Sequence, residues 1–407
     1  MAATYYPSVA FSFRKRQDGR PRAAIVRQTR YYELQLQREA EALRDAGFDV
    51  ELIHMRQDGS PSHQVVNGVE VSTLPGSMGR SSKLRYMFDY ARFFLLVSGT
   101  LTARHARRPY AVIQVNTMPD FLVFATAVPK LFGSRVVAYM HEPSPELAES
   151  LFGPGRVSQA LALVEQLVLR FADHSIAVTD QLKERYVERG AKPDGITVVL
   201  NGADPESLLG DWSPAEADVD ENVFTVVCHG SIEDRYGQDT IVEAAKILEP
   251  ELPDLRVVIV GRGKATEALV AQIADADVGD VVSFEGWVSD DRLRELLHSA
   301  DAGIVAQKAT PYSHLVSTNK MVDYWIFGLP VIASRLRAVS ELCDESTLEF
   351  YEPGDPEDLA RAIRHLHDDP ARREELARNG RRAEQELGWA VQRKKYLGVF
   401  DALMGRG

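Results

Sequence analysis

The sequence predicts an α/β fold made of two doubly wound parallel-sheet domains. The chain has 407 residues, which is too long for one ordinary core and favours two domains. Short apolar runs alternate with helical patterns in two separate series, and this alternation is typical of parallel sheets covered by helices. An acidic, Pro- and Ala-rich stretch at 201–222 lies between the series and is the predicted linker.

The first series begins shortly after the N-terminus. Leu36, Ala40 and Leu43 line one face of a predicted helix that ends at Gly47. Further helices are predicted at 161–171 and 181–189. The predicted strands are apolar on both faces and lie at 23–26, 50–54, 111–115, 135–139, 175–178 and 196–200.

The second series repeats the pattern after the linker. Its predicted helices lie at 239–248, 290–299 and 356–367. Its predicted strands lie at 224–228, 256–260, 281–284, 303–306, 330–333 and 348–351. Ligands bind at the carboxyl ends of parallel strands, so we expect a site in the cleft between the two domains.

Composition excludes several functional classes. Hydrophobic content of 45% and charged content of 26% are typical of globular proteins. A formal net charge of −12 argues against nucleic-acid binding, which needs a basic surface. Two cysteines, Cys228 and Cys343, form neither a disulfide framework nor a metal-ligand pattern. The N-terminus lacks signal-peptide order and no apolar run approaches about 18 residues, so we expect a cytoplasmic protein.

The most informative segment is 315–334, LVSTNKMVDYWIFGLPVIAS. A polar cluster of Ser317, Thr318, Asn319 and Lys320 opens a predicted helix, which carries Asp323 one turn later and is followed by a buried strand. Free N–H groups, the helix dipole and a lysine together favour an anion, while a carboxylate suits sugar hydroxyls. This pattern points to a nucleotide-sugar site, and the alternative is an ordinary capped helix that leads into a strand.

Other strand ends of the second series carry candidate ligand groups. Gly230 and Ser231 follow one strand, and a glycine there lets a ligand approach the backbone. Arg235 lies just beyond and is able to donate bidentate hydrogen bonds to a diphosphate. Backbone groups around Val288, after another strand, are candidates for nucleobase contact, whereas 261–264 is interpreted as a strand-to-helix turn. At each place an ordinary solvated turn is the alternative.

The first series offers His141 at the carboxyl end of a strand, where an imidazole would face the cleft. The alternative is a buried histidine with its hydrogen bonds satisfied. Asn116 and Asp120 are weaker candidates of the same kind. Residues 83–108 form a basic, aromatic stretch that suits an anionic membrane surface, although a core helix with solvated flanks is favoured.

Taken in order, these motifs resemble glycosyltransferase family 4, the retaining enzymes of the GT-B fold. The resemblance extends from about Arg22 to Tyr396. It rests on 328–334, 284–288 and 352–359 in the second half, and on 141–146, 171–173 and 199–202 in the first. It implies two Rossmann-like domains: an acceptor domain at 1–205 that also receives a crossing helix at 384–407, and a nucleotide-sugar donor domain at 206–383.

The resemblance also assigns roles to individual residues. Lys320 and Arg235 would hold the donor diphosphate, and Gly230 would let the diphosphate approach the strand end. Asp323 matches the second acid of the family's Glu-x7-Glu motif, which binds the nucleotide ribose. His141 would line the sugar and acceptor side.

The chain departs from the family pattern at several positions. The first acid of the motif falls at Leu315, so its sugar contact is missing or is supplied by Ser317, Thr318 or Asn319. Ser231 and Tyr236 stand where the family usually has arginine and lysine, and Arg235 is the nearest replacement. The first β–α loop, at 27–32, lacks the common glycine pair.

These observations lead us to expect a retaining, metal-independent glycosyltransferase. The co-substrate would be a UDP- or GDP-linked sugar, no further cofactor is expected, and the acceptor would be a hydroxyl of a glycan, a lipid-linked sugar or a small molecule. The alternatives are a nucleotide-sugar epimerase of the same architecture and a non-catalytic nucleotide-sugar- or glycan-binding subunit. A dinucleotide-dependent dehydrogenase is disfavoured because no glycine fingerprint opens the first helix.

Overall fold

A computed structural model describes residues 19–29, 34–56, 60–76, 83–212 and 222–406, apart from the side chains of 83–87 and Ser207. Part of the first β–α loop, at 30–32, and the linker residues 213–221 lie outside these ranges. Within them, the two parallel α/β domains predicted from the sequence are confirmed.

The first domain is built on a sheet of eight strands among the described residues, in the order β3-β4-β2-β1-β5-β6-β7-β8. These are β1 Arg22–Arg27, β2 Asp49–Met55, β3 His63–Val66, β4 Val69–Leu74, β5 Val112–Asn116, β6 Arg135–Met140, β7 His174–Ala177 and β8 Ile196–Val198. The pairs are parallel except β3 with β4. The helices that cover this sheet are α1 Leu34–Asp45, α2 Lys83–Arg107, α3 Ala127–Leu131, α4 Ser144–Phe152, α5 Arg156–Phe171 and α6 Asp180–Glu188.

The hairpin β3-β4 was not predicted. Its turn is Asn67-Gly68, with φ of +48° and +78°, the conformation that Asn-Gly turns adopt between paired strands. The β3 side chains alternate between exposed and half-buried. This edge strand therefore lacks the continuous apolar run by which the parallel strands were identified.

The second domain contains a six-stranded sheet, which is parallel in every recorded pair, in the order β11-β10-β9-β12-β13-β14. After α7 Pro205–Leu209, its strands are β9 Phe224–Ser231, β10 Leu255–Arg262, β11 Val282–Gly286, β12 Ala302–Val305, β13 Val331–Ser334 and β14 Glu349–Tyr351. Its helices are α8 Gln238–Leu248, α9 Thr266–Ala276, α10 Asp290–His298, α11 Lys320–Ile326, α12 Arg337–Ser340, α13 Pro356–Asp368 and α14 Pro370–Leu387.

The chain then returns to the first domain through α15 Trp389–Met404. Trp389, Tyr396 and Phe400 are buried in the apolar core of the first domain. The outgoing and returning crossings touch each other: a Cβ on Gly202 would lie 3.1 Å from the Trp389 nitrogen and 3.2 Å from the Leu387 oxygen. Two adjacent segments of the chain thus connect the domains.

In the part of the chain that the structure describes, no helix combines the length and the apolar character needed to cross a bilayer.

Candidate active site

The carboxyl ends of β9 and β10 are lined by glycines. Gly230 pairs with Gly261 across the two strands, with φ of +117° and +145°. A Cβ on Gly261 would lie 1.7 Å from the Gly230 oxygen, and a Cβ on Gly230 would lie 2.6 Å from Lys320 Cε. The positive φ favours glycine at both positions; at Gly261 a backbone oxygen also excludes a side chain, whereas at Gly230 a side chain would have to displace the end of Lys320. The strand ends therefore leave room for the lysine.

Two cations meet at this point. The Lys320 ammonium lies 4.8 Å from the centre of the Tyr236 ring, and the Arg235 guanidinium carbon lies 4.6 Å from it. Burial lowers the pKa of Lys320, while the nearby Cys228 and Asp323 act in the opposite direction. These two like charges repel each other, and an anion between them would offset that repulsion; Glu233, 3.7 Å from Arg235, is the acid already paired with that arginine. The arrangement suits a phosphate-bearing ligand.

The predicted polar cluster does not open the helix as expected. α11 begins at Lys320 and has only seven residues, so Ser317, Thr318 and Asn319 lie in the loop before it. Asn319 is exposed and makes no capping hydrogen bond from its side chain. Thr318 Oγ1 is buried without a hydrogen-bond partner among the described residues. The charge of Lys320, rather than a long helix dipole, is the main attraction for an anion.

Asp323 follows Lys320 in the first turn of α11, with a carboxylate oxygen 3.6 Å from His229 Nε2. Its side chain is 16% exposed, and burial raises its pKa to about 7, an effect that Arg38 and Lys320 oppose. Burial and the charge of Lys320 lower the pKa of His229 to about 3. His229 is therefore neutral near pH 7. It was not predicted, although its position directly before Gly230 placed it at the strand end.

The other predicted donor contacts of the second domain lie at strand ends. Ser231 is exposed, and its carbonyl accepts a hydrogen bond from the Gln238 amide at 3.0 Å. The Val288 side chain packs into the core, which leaves only its backbone for a ligand. The neighbouring Trp287 is 68% exposed, and Arg262 stacks on it at 4.4 Å.

His141 comes from the end of β6 in the first domain. Its ring stacks on Tyr139 at 4.2 Å, and its Nδ1 lies 3.2 Å from the Gln35 amide nitrogen. Since an amide N–H donates, Nδ1 accepts and Nε2 carries the proton. Nε2 has no hydrogen-bond partner among the described residues. Burial keeps the pKa of His141 well below its usual value, so this side chain is a neutral hydrogen-bond donor.

The two weaker candidates of this domain are both buried. The Asn116 amide donates to Glu39 at 2.8 Å and its oxygen accepts from Gln114 at 2.6 Å. Asn116 thus belongs to a buried network under the site. Burial raises the pKa of Asp120 to about 7.

The two domains touch through the loop before α11, which contains Leu315, the position of the first acid of the Glu-x7-Glu motif. The Tyr312 hydroxyl donates to the Glu142 carboxylate, and the Thr179 hydroxyl donates to the Leu315 carbonyl at 2.5 Å. Leu315 is 3% exposed and packs with Tyr312 and Val316, against which Leu147 of the first domain also packs. The residue in the position of the motif's first acid is therefore part of an apolar interdomain contact.

Arg38, on α1, contacts both segments that cross between the domains and lies near Asp323. It stacks on Trp389 at 4.6 Å and donates to the Gly202 carbonyl. Burial lowers its pKa, whereas the charge of Glu39 and, more weakly, that of Asp323 raise it. Arg38, Glu142 and Tyr312 were not identified from sequence, since their importance depends on contacts between distant segments.

Among the described residues, no three His, Cys, Asp or Glu side chains are grouped so as to hold a metal ion. Metal independence stays a prediction.

Two family models match this chain. Residues 32–202 match the "Glycosyl transferase 4-like domain", and residues 223–369 match "Glycosyl transferases group 1". The matches fall on the first and second domains respectively.

Two characterised relatives are similar over long stretches. D-inositol 3-phosphate glycosyltransferase of Thermomonospora curvata is 26% identical over 364 residues, which cover 84% of this chain and 82% of the relative. The lipopolysaccharide core biosynthesis glycosyltransferase LpsD of Rhizobium meliloti is 30% identical over 236 residues, which cover 56% of this chain and 63% of the relative.

Solved structures share the whole fold. Sucrose-phosphate synthase from Thermosynechococcus elongatus superposes with a TM-score of 0.75 at 19% identity, covering 95% of this chain and 100% of that structure. Anabaena HepE in complex with UDP-glucose superposes with a TM-score of 0.72 at 17% identity, covering 94% and 99%. Two matched domain models, glycosyltransferase relatives and this shared architecture identify the chain as a glycosyltransferase of the family 4 type with the GT-B fold.

Proposed function

We propose that this protein transfers a glycosyl group, with retention of configuration, from a nucleoside-diphosphate sugar to a hydroxyl group. The observation that carries the proposal is the pair of cations, Lys320 and Arg235, held on the Tyr236 ring beside Gly230. A diphosphate would neutralise both charges. Asp323, which follows Lys320 in the first turn of α11, would accept a hydrogen bond from the nucleotide ribose.

The reaction needs stabilisation of a leaving anion. As the bond between the anomeric carbon and the phosphate oxygen breaks, negative charge grows on the diphosphate, and preorganised cations lower the barrier most when they face that charge. The acceptor oxygen then bonds to the anomeric carbon on the same face, and its proton passes to the leaving phosphate oxygen. Neither an enzyme nucleophile nor a metal is required.

His141 would orient the sugar or the acceptor. Its Nε2–H is the free donor at the end of β6, and the low pKa of the ring keeps the imidazole neutral. It would therefore donate a hydrogen bond without adding a charge. We expect no contribution of His141 to the pH–rate profile between about pH 5 and 8.

The nucleotide is proposed to be UDP or GDP. HepE has been crystallised with UDP, and with UDP-glucose, and another relative, from Corynebacterium glutamicum, is described as GDP-mannose-dependent. The relatives' names include sugar, lipid-linked and phosphorylated cyclitol acceptors. An acceptor hydroxyl of one of these classes is the corresponding proposal here.

The test is incubation with a panel of UDP- and GDP-sugars and with hydroxyl acceptors of these classes, followed by product analysis. Transfer with retained anomeric configuration, or slow donor hydrolysis, supports the proposal. An epimerised nucleotide sugar would favour the isomerase alternative, and binding without turnover would favour a non-catalytic subunit. Lys320→Ala should lose activity, whereas Lys264→Ala, which removes a lysine from the neighbouring turn, should keep it.

We further propose that the first domain contacts an anionic membrane surface. The inner face of α2 is a core face, with Phe93, Val97 and Leu101 buried. Its outer face exposes Phe88 and Leu95 on either side of Arg92. Next to it, α3 and the turn that follows expose Leu131 and Phe132, while the ammonium of Lys130 is paired with Asp173. Exposed apolar side chains around Arg92 suit an anionic bilayer, although the chain as a whole is strongly acidic.

Sedimentation with vesicles tests this contact. Vesicles with anionic lipid should bind the protein more strongly than neutral ones, and the Leu95→Ser, Phe132→Ser variant should bind several-fold less. Val270→Ser, which changes an exposed apolar residue of the second domain, is the matched control. Equal binding by all three proteins would contradict the proposal.

A further inference from the structure

The donor sugar must lie next to the diphosphate, between the cations of the second domain and the opposite wall. The structure brings one carboxylate of the first domain to this place. Glu142 directly follows His141 at the end of β6 and is half-buried. Its carboxylate accepts from the Tyr312 hydroxyl. Burial raises the pKa of Glu142, and the Tyr312 hydrogen bond and the charge of Arg235 oppose that rise. Glu142 therefore lies near Arg235, one of the two proposed diphosphate cations, whose guanidinium is 5.7 Å from the Tyr312 ring.

The second-domain carboxylates near this point are engaged elsewhere: Glu233 pairs with Arg235 at 3.7 Å, and Asp323 is the proposed ribose contact. Leu315 is apolar and buried against Leu147, so the loop before α11 presents no carboxylate there. Asn319 is exposed and Thr318 supplies a single hydroxyl. A carboxylate accepts hydrogen bonds from sugar hydroxyls more strongly than neutral oxygens do.

We infer that Glu142 binds a hydroxyl of the donor sugar, so that the acceptor domain supplies the carboxylate that selects the sugar. The inference rests on the proposed glycosyl-transfer function. It gives Tyr312 a supporting role: its hydroxyl holds the carboxylate in place when the domains are closed. The first domain would then select the sugar, while the second domain binds the nucleotide.

Binding measurements separate these contributions. The affinities of UDP, GDP and the matching nucleotide sugars are measured by calorimetry for the wild type, Glu142→Gln and Tyr312→Phe. Glu142→Gln preserves size and should bind the nucleoside diphosphate within about twofold of wild type, which also shows that it folds. Its preference for the nucleotide sugar over the nucleoside diphosphate should fall about 10- to 100-fold, the effect of one charged hydrogen bond.

Tyr312→Phe is the matched control because it breaks the same interdomain contact and leaves the carboxylate. It should reduce the preference for the nucleotide sugar by a few-fold at most. An equal loss in both variants would mean that domain closure, and not a sugar contact, is responsible, and would overturn the inference. An unchanged preference in Glu142→Gln would overturn it as well. If the wild type bound neither UDP nor GDP, the proposed function itself would fail, which is a distinct result.

Discussion

Substituting Gly230 by alanine tests whether the position of Lys320, and not only its presence, determines turnover. The added methyl would lie 2.6 Å from Lys320 Cε and 3.2 Å from Nζ. Real methyl groups do not approach so closely, so the lysine must move by roughly 1 Å away from the strand end. The φ of +117° adds backbone strain of about 1–3 kcal/mol.

The expected loss follows from the role of the lysine. Lys320→Ala removes one charged contact to the leaving diphosphate, and such contacts contribute about 10²–10³ in rate. Gly230→Ala should cost nearly as much, because a displaced ammonium no longer faces the same oxygens. The double variant should be no slower than Lys320→Ala alone, since the methyl has nothing left to displace.

The assay is release of UDP or GDP from the donor that the wild type uses best. Gly133→Ala is the control: it has a similar φ of +100° and no atom within 4 Å of the new methyl, so it carries strain without displacement. Losses that add in the double variant would show that Gly230 acts independently of Lys320 and would refute the reasoning. Wild-type turnover in Lys320→Ala would refute the site itself.

Three further outcomes are expected. With a pKa of about 7, the Asp323 carboxyl becomes negatively charged as the pH rises from 6 to 8, so affinity for UDP or GDP should rise up to about tenfold. In Asp323→Asn, only the titration of the ligand itself should change the affinity. An identical pH profile in both proteins would contradict the ribose contact. If the exposed Trp287 stacks on the nucleobase, Trp287→Ala should weaken binding of the preferred nucleoside diphosphate about tenfold, and unchanged affinity would exclude that contact. Because the proposed ligand groups come from both domains, small-angle scattering should show a more compact particle, or a narrower spread of conformations, at saturating UDP or GDP; superimposable profiles would count against closure.

The buried parallel strands were predictable because their sequence runs are apolar on both faces. Segments such as 224–228 and 256–260 are recognised from composition alone, and the glycines that come after them indicate where the strands end. Lys320 and Arg235 could be placed near these ends because each lies a few residues from a strand end or helix start. The edge hairpin was missed since β3 is short and half-exposed, although its Asn-Gly turn was a usable signal.

The interdomain part of the site could not be predicted in the same way. Glu142 and Tyr312 lie 170 residues apart in sequence. Glu142 belongs to the segment 141–146 that supported the family resemblance, but nothing local to either residue indicates their contact. Leu315 was identified as a departure from the family, but its burial against Leu147 depends on how the domains meet. The same holds for Arg38, which contacts Gly202 in the segment that leaves the first domain and Trp389 in the last helix.

The last helix has a consequence for the order in which the protein is made. Trp389, Tyr396 and Phe400 belong to the core of the first domain, yet the ribosome delivers them after the entire second domain. Each large apolar side chain contributes about 1.5–3 kcal/mol when buried, so the first domain leaves the ribosome with an unfilled core. Its nascent form would expose that gap until synthesis ends, while the second domain, whose sheet is complete by Tyr351, would be able to fold first.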